Sequence, residues 1–212
     1  MNIPLLPILV ASIATFLSIS LLRPFAISIN LVDQPNNRKL HDGSVPLIGG
    51  IAMFLGVVAS VLTSAIDLNQ FNYFLLTSLI IVIVGVMDDH RDISVSLRIL
   101  LQVLVAIIII SLGGVLIESF GNLLGNGDII LNEWAYFITI IAIITAMNAV
   151  NMTDGVHGLA GGNSLITFLA IIFLSKDSPY QISILISFLF CAVLPIFLIH
   201  NLCLGLPSSK RI

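Results

Sequence analysis

Residues 133–150 read Glu133-Trp-Ala-Tyr-Phe-Ile-Thr-Ile-Ile-Ala-Ile-Ile-Thr-Ala-Met-Asn148-Ala-Val150, and they run directly into Asn151-Met-Thr-Asp154-Gly155-Val-His157-Gly158. No charged side chain occurs between Glu133 and Asp154. A helix that crosses a bilayer needs roughly 20 mostly apolar residues, because the hydrocarbon core is about 30 Å thick and each residue rises about 1.5 Å. The run is continuous rather than alternating, so it predicts a helix and not a barrel strand. Six further stretches have the same character, at 3–22, 47–66, 72–87, 96–113, 158–175 and 181–200. The expected fold is an all-α polytopic membrane protein of about seven transmembrane helices, forming a single domain over residues 1–212.

The composition agrees. Of 212 residues, 58% are apolar and 9% charged, and the mean hydropathy is +1.14. A soluble domain carries about 25% charged residues, so this chain cannot cover a water-facing surface. A soluble enzyme and a disordered protein are excluded. The net charge of −3 with no basic run excludes a nucleic-acid binder. Cys191 and Cys203 form neither a disulfide framework nor a metal cluster.

Positive charge orients the spans. With the N-terminus outside, Arg23, Arg38, Lys39, Arg91, Arg98, Lys210 and Arg211 fall inside, and of the 8 lysines and arginines only Lys176 falls outside. The C-terminus is then cytoplasmic. The same division puts all 4 histidines on the cytoplasmic side, so any chemistry is expected there. Outside, Asn126-Gly127 between Val115-Leu116-Ile117 and Ile129-Ile130-Leu131 predicts a small β-hairpin near 115–131 with a type I′ turn. Asp67–Asn72 and Lys176–Gln181 are expected to be short outer turns.

Three polar blocks share the expected cytoplasmic side. The 33–50 loop carries Arg38, Lys39 and His41, followed by Pro46, Gly49 and Gly50. Such a group suits an anionic ligand, and equally an ordinary basic loop on anionic head groups. Asp88-Asp89 closes the third span. Adjacent carboxylates repel, and Mg²⁺, which takes one or two carboxylates plus phosphate oxygens, would relieve them; a water-solvated helix end is the alternative. The third block holds Asn148, Asn151, Asp154 and His157 with Gly158, Gly161 and Gly162. Asn148 and Asn151 share a helical face, and the glycines allow close approach of a helix or a ligand. Two amides, a carboxylate and a histidine at a membrane edge are costly unless used. Together the blocks suit a phosphorylated soluble substrate, a bridging Mg²⁺ and a lipid second substrate.

The chain resembles the polyprenyl-phosphate N-acetylhexosamine-1-phosphate transferase family from about residue 30 onward. The resemblance rests on Asp33-x-Pro35-x-x-Arg38-Lys39-x-His41 with Pro46-x-x-Gly49-Gly50, on Asp88-Asp89 with Asp92-Ile93-Ser94, and on Asn148-x-x-Asn151-x-x-Asp154-Gly155-x-x-Gly158-Leu159. It is similar to the GlcNAc-1-phosphate branch that begins O-antigen and common-antigen synthesis, and less so to the muramoyl-pentapeptide branch. The resemblance implies an inner-membrane bacterial transferase that moves a sugar-1-phosphate from a UDP-sugar to undecaprenyl phosphate and releases UMP. It further implies Mg²⁺, or Mn²⁺, as cofactor and a cytoplasmic site. Asp88, Asp89 and Asp154 would be catalytic. Asn151 and Asp154 would hold the metal, and Arg38, Lys39, His41, Asn148 and His157 would bind substrate.

Two departures accompany it. His157 stands where the bacterial family usually has Asp, and it offers no carboxylate. The family also continues beyond the Pro207–Ile212 region into a Gly-Asp block, more spans and a His-rich loop, so the expectation is an N-terminal portion, truncated at its C-terminus. The competing reading is a non-catalytic membrane remnant or a split-enzyme subunit. A transporter fits less well, because the polar residues sit at span ends rather than at the midplane. Small residues in the spans suit internal packing or a homodimer equally.

Overall fold

A computed structural model describes residues 5–33, 45–63, 68–91, 93–153, 158–175 and 181–202. Seven helices occur among them: α1 (Leu5–Ser28), α2 (Gly49–Thr63), α3 (Leu68–Arg91), α4 (Val95–Gly113), α5 (Trp134–Thr153), α6 (Leu159–Leu174) and α7 (Gln181–Asn201). Five are long and apolar enough to cross a membrane: α1, α3, α4, α5 and α7. With 15 and 16 residues, α2 and α6 are shorter apolar helices. Large side chains such as Leu21 (73% exposed) and Leu174 (79%) face outward with no protein against them, as acyl-chain contact requires. The chain is an all-helical membrane protein. The helices match the seven expected stretches closely. Two differ at their ends: α1 runs on through Pro24 to Ser28, past the expected end at residue 22, and at the expected turn 67–72 α3 is helical from Leu68.

Two compact units divide the chain, one holding α1, α2, α6 and α7, the other α3, α4 and α5. In the first, small residues set the geometry. Ala11 and Thr15 on α1 meet Gly56 and Ser60 on α2, each pair four apart and so on one face. A Cβ at Gly56 would collide with Thr15 and come 2.8 Å from the Ala11 carbonyl oxygen. Ser60 Oγ donates to the Pro7 carbonyl at 2.8 Å, and Thr15 Oγ1 donates to that of Ala11 at 2.7 Å. This is small-residue packing of the kind that lets membrane helices approach without a hydrophobic driving force. A short antiparallel ribbon, β1 (Val32–Asp33) with β2 (Val45–Pro46), pairs Val32 with Pro46. It leads into α2, whose Gly49 lies against the Phe197 ring of α7.

Of the third block's glycines, two serve helix packing. Gly158 has φ +76° and abuts Leu202, and Gly161 abuts Leu198 and Phe197. Gly162 has open space beside it.

In the second unit, Ser94 caps α4, its Oγ accepting from Leu97 N at 3.3 Å. Gly114 ends α4 at φ +62°, its N–H on the Ile110 carbonyl. Gly113 makes room for the Tyr73 ring of α3. The segment between α4 and α5 departs from expectation. In place of a hairpin with a two-residue turn there is one antiparallel bridge, Ser119 to Ile130. Backbone pairing closes at Gly121–Ile129, and residues 122–128 form a wider loop. The reason is local: a type I′ turn needs φ > 0 at both central residues. Here Gly125 and Gly127 take positive φ, while Asn126 does not. Asn122 Oδ1 instead accepts from Gly127 N at 3.1 Å, and Thr139 Oγ1 of α5 accepts from Ile117 N at 2.9 Å.

Gly56→Val should therefore cost about 1–3 kcal/mol through overpacking of α1 on α2. Gly50→Ala, where a Cβ meets nothing, should be near neutral. Thermal unfolding followed by thiol labelling of Cys191, a half-buried free thiol in α7, measures both.

Candidate functional site

The second unit holds an open cavity of about 450 Å³ built from three helices. Its lining on α3 is Ile81, Val84, Gly85 and Asp88, and on α4 it is Arg98, Leu101, Gln102 and Val105. Both sets follow i, i+3, i+4, i+7, which is one stripe of a helix. Ala146, Met147, Val150 and Asn151 of α5 complete it. The chain order puts the last turn of α3, the first turn of α4 and the last turn of α5 at one end of this unit. Asp88, Arg98 and Asn151 gather there, while apolar side chains line most of the rest. Gly85 contributes a gap: a Cβ there would meet nothing within 4 Å.

Asp88 is tied to Arg98. The guanidinium Nη2 donates to Asp88 Oδ1 at 2.7 Å, with the two side chains 27% and 28% exposed. Arg98 Nε is buried and has no hydrogen-bond partner. An unsatisfied guanidinium donor is costly in a low-dielectric setting. One turn deeper on α4, Gln102 is 6% exposed. Its Oε1 accepts from Asn148 Nδ2 of α5 at 2.8 Å, and the same Nδ2 donates to the Ile144 carbonyl at 2.8 Å.

The structure thus brings Asp88 and Asn151, two of the expected site residues, into one cavity. Asp89 follows Asp88 on α3 and projects about 100° away around the helix; it is exposed and does not line the cavity. Asn148 spends both amide protons on Gln102 and Ile144, so it acts first as a helix–helix tie. Arg38, Lys39, His41, Asp154 and His157 lie outside the described residues. Sequence reasoning passed over Arg98 and Gln102, because Arg98 was counted only toward orientation. The signal was present: two polar residues spaced i, i+4 in an otherwise apolar span.

The donor set also bears on a metal. Among the described residues no group of three His, Cys, Asp or Glu side chains comes together. Mg²⁺ does not need one, since it binds through one or two carboxylates and completes its shell with substrate phosphates and water. Asp88 and Asn151, from α3 and α5, are the oxygen-bearing side chains at the charged end of the cavity lining that suit such a shell.

Comparison with known proteins gives a consistent picture. A family described as "Glycosyl transferase family 4" matches residues 71–205. The chain is 36% identical over 184 residues to an undecaprenyl-phosphate alpha-N-acetylglucosaminyl 1-phosphate transferase of Yersinia pestis, covering 86% of this chain and 50% of that one. The protein of the same name in Salmonella typhi is 35% identical over 192 residues, 90% of this chain and 52% of its own. A probable undecaprenyl-phosphate N-acetylglucosaminyl 1-phosphate transferase of Bacillus subtilis is 34% identical over 199 residues, 92% and 55% respectively. The chain spans about half the length of the curated relatives it matches.

If the Asp88–Arg98 contact holds α3 to α4, the losses from Asp88→Asn and Arg98→Gln should not add. A double-mutant cycle on thermal stability should give a coupling of roughly 0.5–3 kcal/mol, toward the low end because both groups are partly exposed. Strict additivity would mean the contact contributes nothing.

Proposed function

The chain belongs to glycosyl transferase family 4, and from that premise we propose that it takes part in transfer of a sugar-1-phosphate from a UDP-sugar to a polyprenyl phosphate. The observation that carries this reading is the amphipathic shape of the α3–α4–α5 cavity. Its stripes are apolar along most of their length, and its one charged end holds Asp88, Arg98 and Asn151. A molecule with a long hydrocarbon tail and an anionic phosphate head matches both parts. The names of the relatives supply the same pairing, an undecaprenyl phosphate acceptor and an N-acetylglucosaminyl 1-phosphate group.

The chemistry asks little covalent help of the protein. The acceptor phosphate is already an anion near neutral pH. Its oxygen attacks the β-phosphorus of the UDP-sugar, the bond from that phosphorus to the bridging oxygen breaks, and UMP departs with the electron pair. Catalysis is then chiefly positioning and charge neutralisation. Arg98 would bind and orient the acceptor phosphate through its guanidinium, which lines the charged end of the cavity. Asp88 holds the guanidinium in place until the anion arrives. Asp89, exposed beside it, would keep the approach selective for cation-bearing diphosphate. On the family resemblance, Asn151 and Asp154 would hold Mg²⁺, which when bound neutralises diphosphate oxygens. On the same resemblance, Arg38, Lys39 and His41 are proposed to line the phosphate approach and His157 to face the nucleotide, while Asn148 acts through its bond to Gln102.

The sugar is proposed to be GlcNAc and the product a lipid diphosphate that initiates surface polysaccharide synthesis, such as O-antigen or common antigen. Charge distribution along the sequence supports a cytoplasmic position for the site in a bacterial inner membrane, since seven of the 8 lysines and arginines fall on that side of the spans. The second reading is a chain that holds the acceptor and works with another polypeptide. Assaying the chain alone and with a co-expressed C-terminal half of the Bacillus subtilis relative separates the two.

Membranes containing the chain, given UDP-GlcNAc, Mg²⁺ and undecaprenyl phosphate, should release UMP and form a lipid-diphosphate sugar. Asp89→Asn and Asp88→Asn should each lower transfer on the order of a hundredfold without loss of insertion. Transfer that survives both would remove the acidic pair from the site. Gly85→Leu, at a position where a Cβ meets nothing within 4 Å, should narrow the groove and raise KM for the lipid acceptor while leaving KM for UDP-GlcNAc unchanged.

A further inference from the structure

The Gln102–Asn148 contact can be read further, because a backbone carbonyl fixes the orientation of both amides. The Ile144 carbonyl oxygen only accepts, so the Asn148 atom 2.8 Å from it must be Nδ2. That nitrogen has two protons. One goes to Ile144, and the other goes to Gln102, which therefore presents Oε1 to it. Gln102 cannot rotate its amide without losing this bond and facing two N–H groups against each other. Its Nε2, with two protons, is the end left for the cavity that Gln102 lines.

The position of this donor is as informative as its orientation. Gln102 is four residues beyond Arg98 on the same face of α4, about 6 Å deeper along the helix axis. It is the single polar lining residue beyond the charged end; its neighbours there are Leu101, Val105, Ala146 and Met147. Tying α4 to α5 in a bilayer does not call for an amide with a spare donor, and small residues do it elsewhere in this chain. A neutral N–H₂ at the boundary between a charged mouth and an apolar groove matches the junction of a phosphate head with its hydrocarbon tail.

We propose that Gln102 is a specificity-determining residue for the acceptor: its Nε2 donates to one non-bridging oxygen of a lipid phosphate whose other non-bridging oxygens face Arg98, with Asn148 as the positioning residue that locks the donor inward. The proposal rests on the reading that this groove takes a polyprenyl phosphate. Between Arg98 and Gln102 the phosphate is held from two levels, which fixes its depth and distinguishes a phosphorylated lipid from the corresponding alcohol. No covalent step is assigned to Gln102.

The test compares two ways of breaking the same contact. The 212-residue chain in nanodiscs of phosphatidylethanolamine and phosphatidylglycerol is titrated with undecaprenyl phosphate and with undecaprenol, and the ratio of the two affinities is read. Gln102→Met removes both the contact and the donor. Asn148→Leu removes the contact but leaves the donor. Gln102→Met should lower the phosphate-over-alcohol preference about tenfold, a difference of about 1.4 kcal/mol, and Asn148→Leu should lower it no more than about threefold. Thermal unfolding should fall alike in both. No loss of preference in Gln102→Met would reduce Gln102 to a helix tie and overturn the proposal while leaving the groove assignment standing. A wild-type chain with no preference for the phosphate would instead overturn the groove assignment itself. Side-chain ¹⁵N signals of the four glutamines give a second readout, in which the Gln102 amide alone should shift with the phosphate and not with the alcohol.

Discussion

Polar groups inside a bilayer have no water to turn to, and the second unit is organised by that constraint. Asp88, Arg98, Gln102, Asn148 and Asn151 all sit on helices long and apolar enough to cross a membrane. Two cross-helix contacts draw on four of them: Asp88 to Arg98 joins α3 to α4, and Gln102 to Asn148 joins α4 to α5. The helices are held by a few directional contacts between long side chains rather than by close backbone approach. Space is left between them, and that space is the groove.

The first unit shows the opposite solution. Gly56 and Ser60 against Ala11 and Thr15 bring α1 and α2 together so closely that a single methyl group would not fit. Gly158 and Gly161 do the same for α6 on α7. Dispersion contacts over a tight seam give a rigid pair. One fold thus contains a tightly sealed helical unit and an open three-helix one, and the candidate chemistry lies in the open one.

Much of this was legible in the residues. Continuous apolar runs located seven helices, because length and charge depletion are strong signals in a bilayer. Asp88 and Asn151 were identified as site residues, and the topology alone places the ends of the third and fifth spans on the same side. Less legible was whatever depended on rotamers and turn geometry. Asn126-Gly127 carries a hairpin signal, yet Asn126 does not adopt positive φ and the loop widens. Asn148 looks like a ligand-binding amide in sequence, but its two protons are committed within the helix pair. Arg98 looks like one more orienting charge, and only its distance to Asp88 shows that it belongs to the cavity. The stripe 81, 84, 85, 88 and its counterpart 98, 101, 102, 105 could have been found by helical spacing, since each ends on a polar residue at the same end of an apolar face.

The groove assignment is tested most directly by photolabelling. A polyprenyl phosphate carrying a diazirine in its first isoprene unit would be bound to the chain in nanodiscs, irradiated, and its attachment points mapped by mass spectrometry. Labels should concentrate on residues 81–85, 101–105 and 146–150, and unlabelled polyprenyl phosphate should displace them. Labels spread over the lipid-facing sides of α1, α6 and α7, with no displacement, would contradict the assignment.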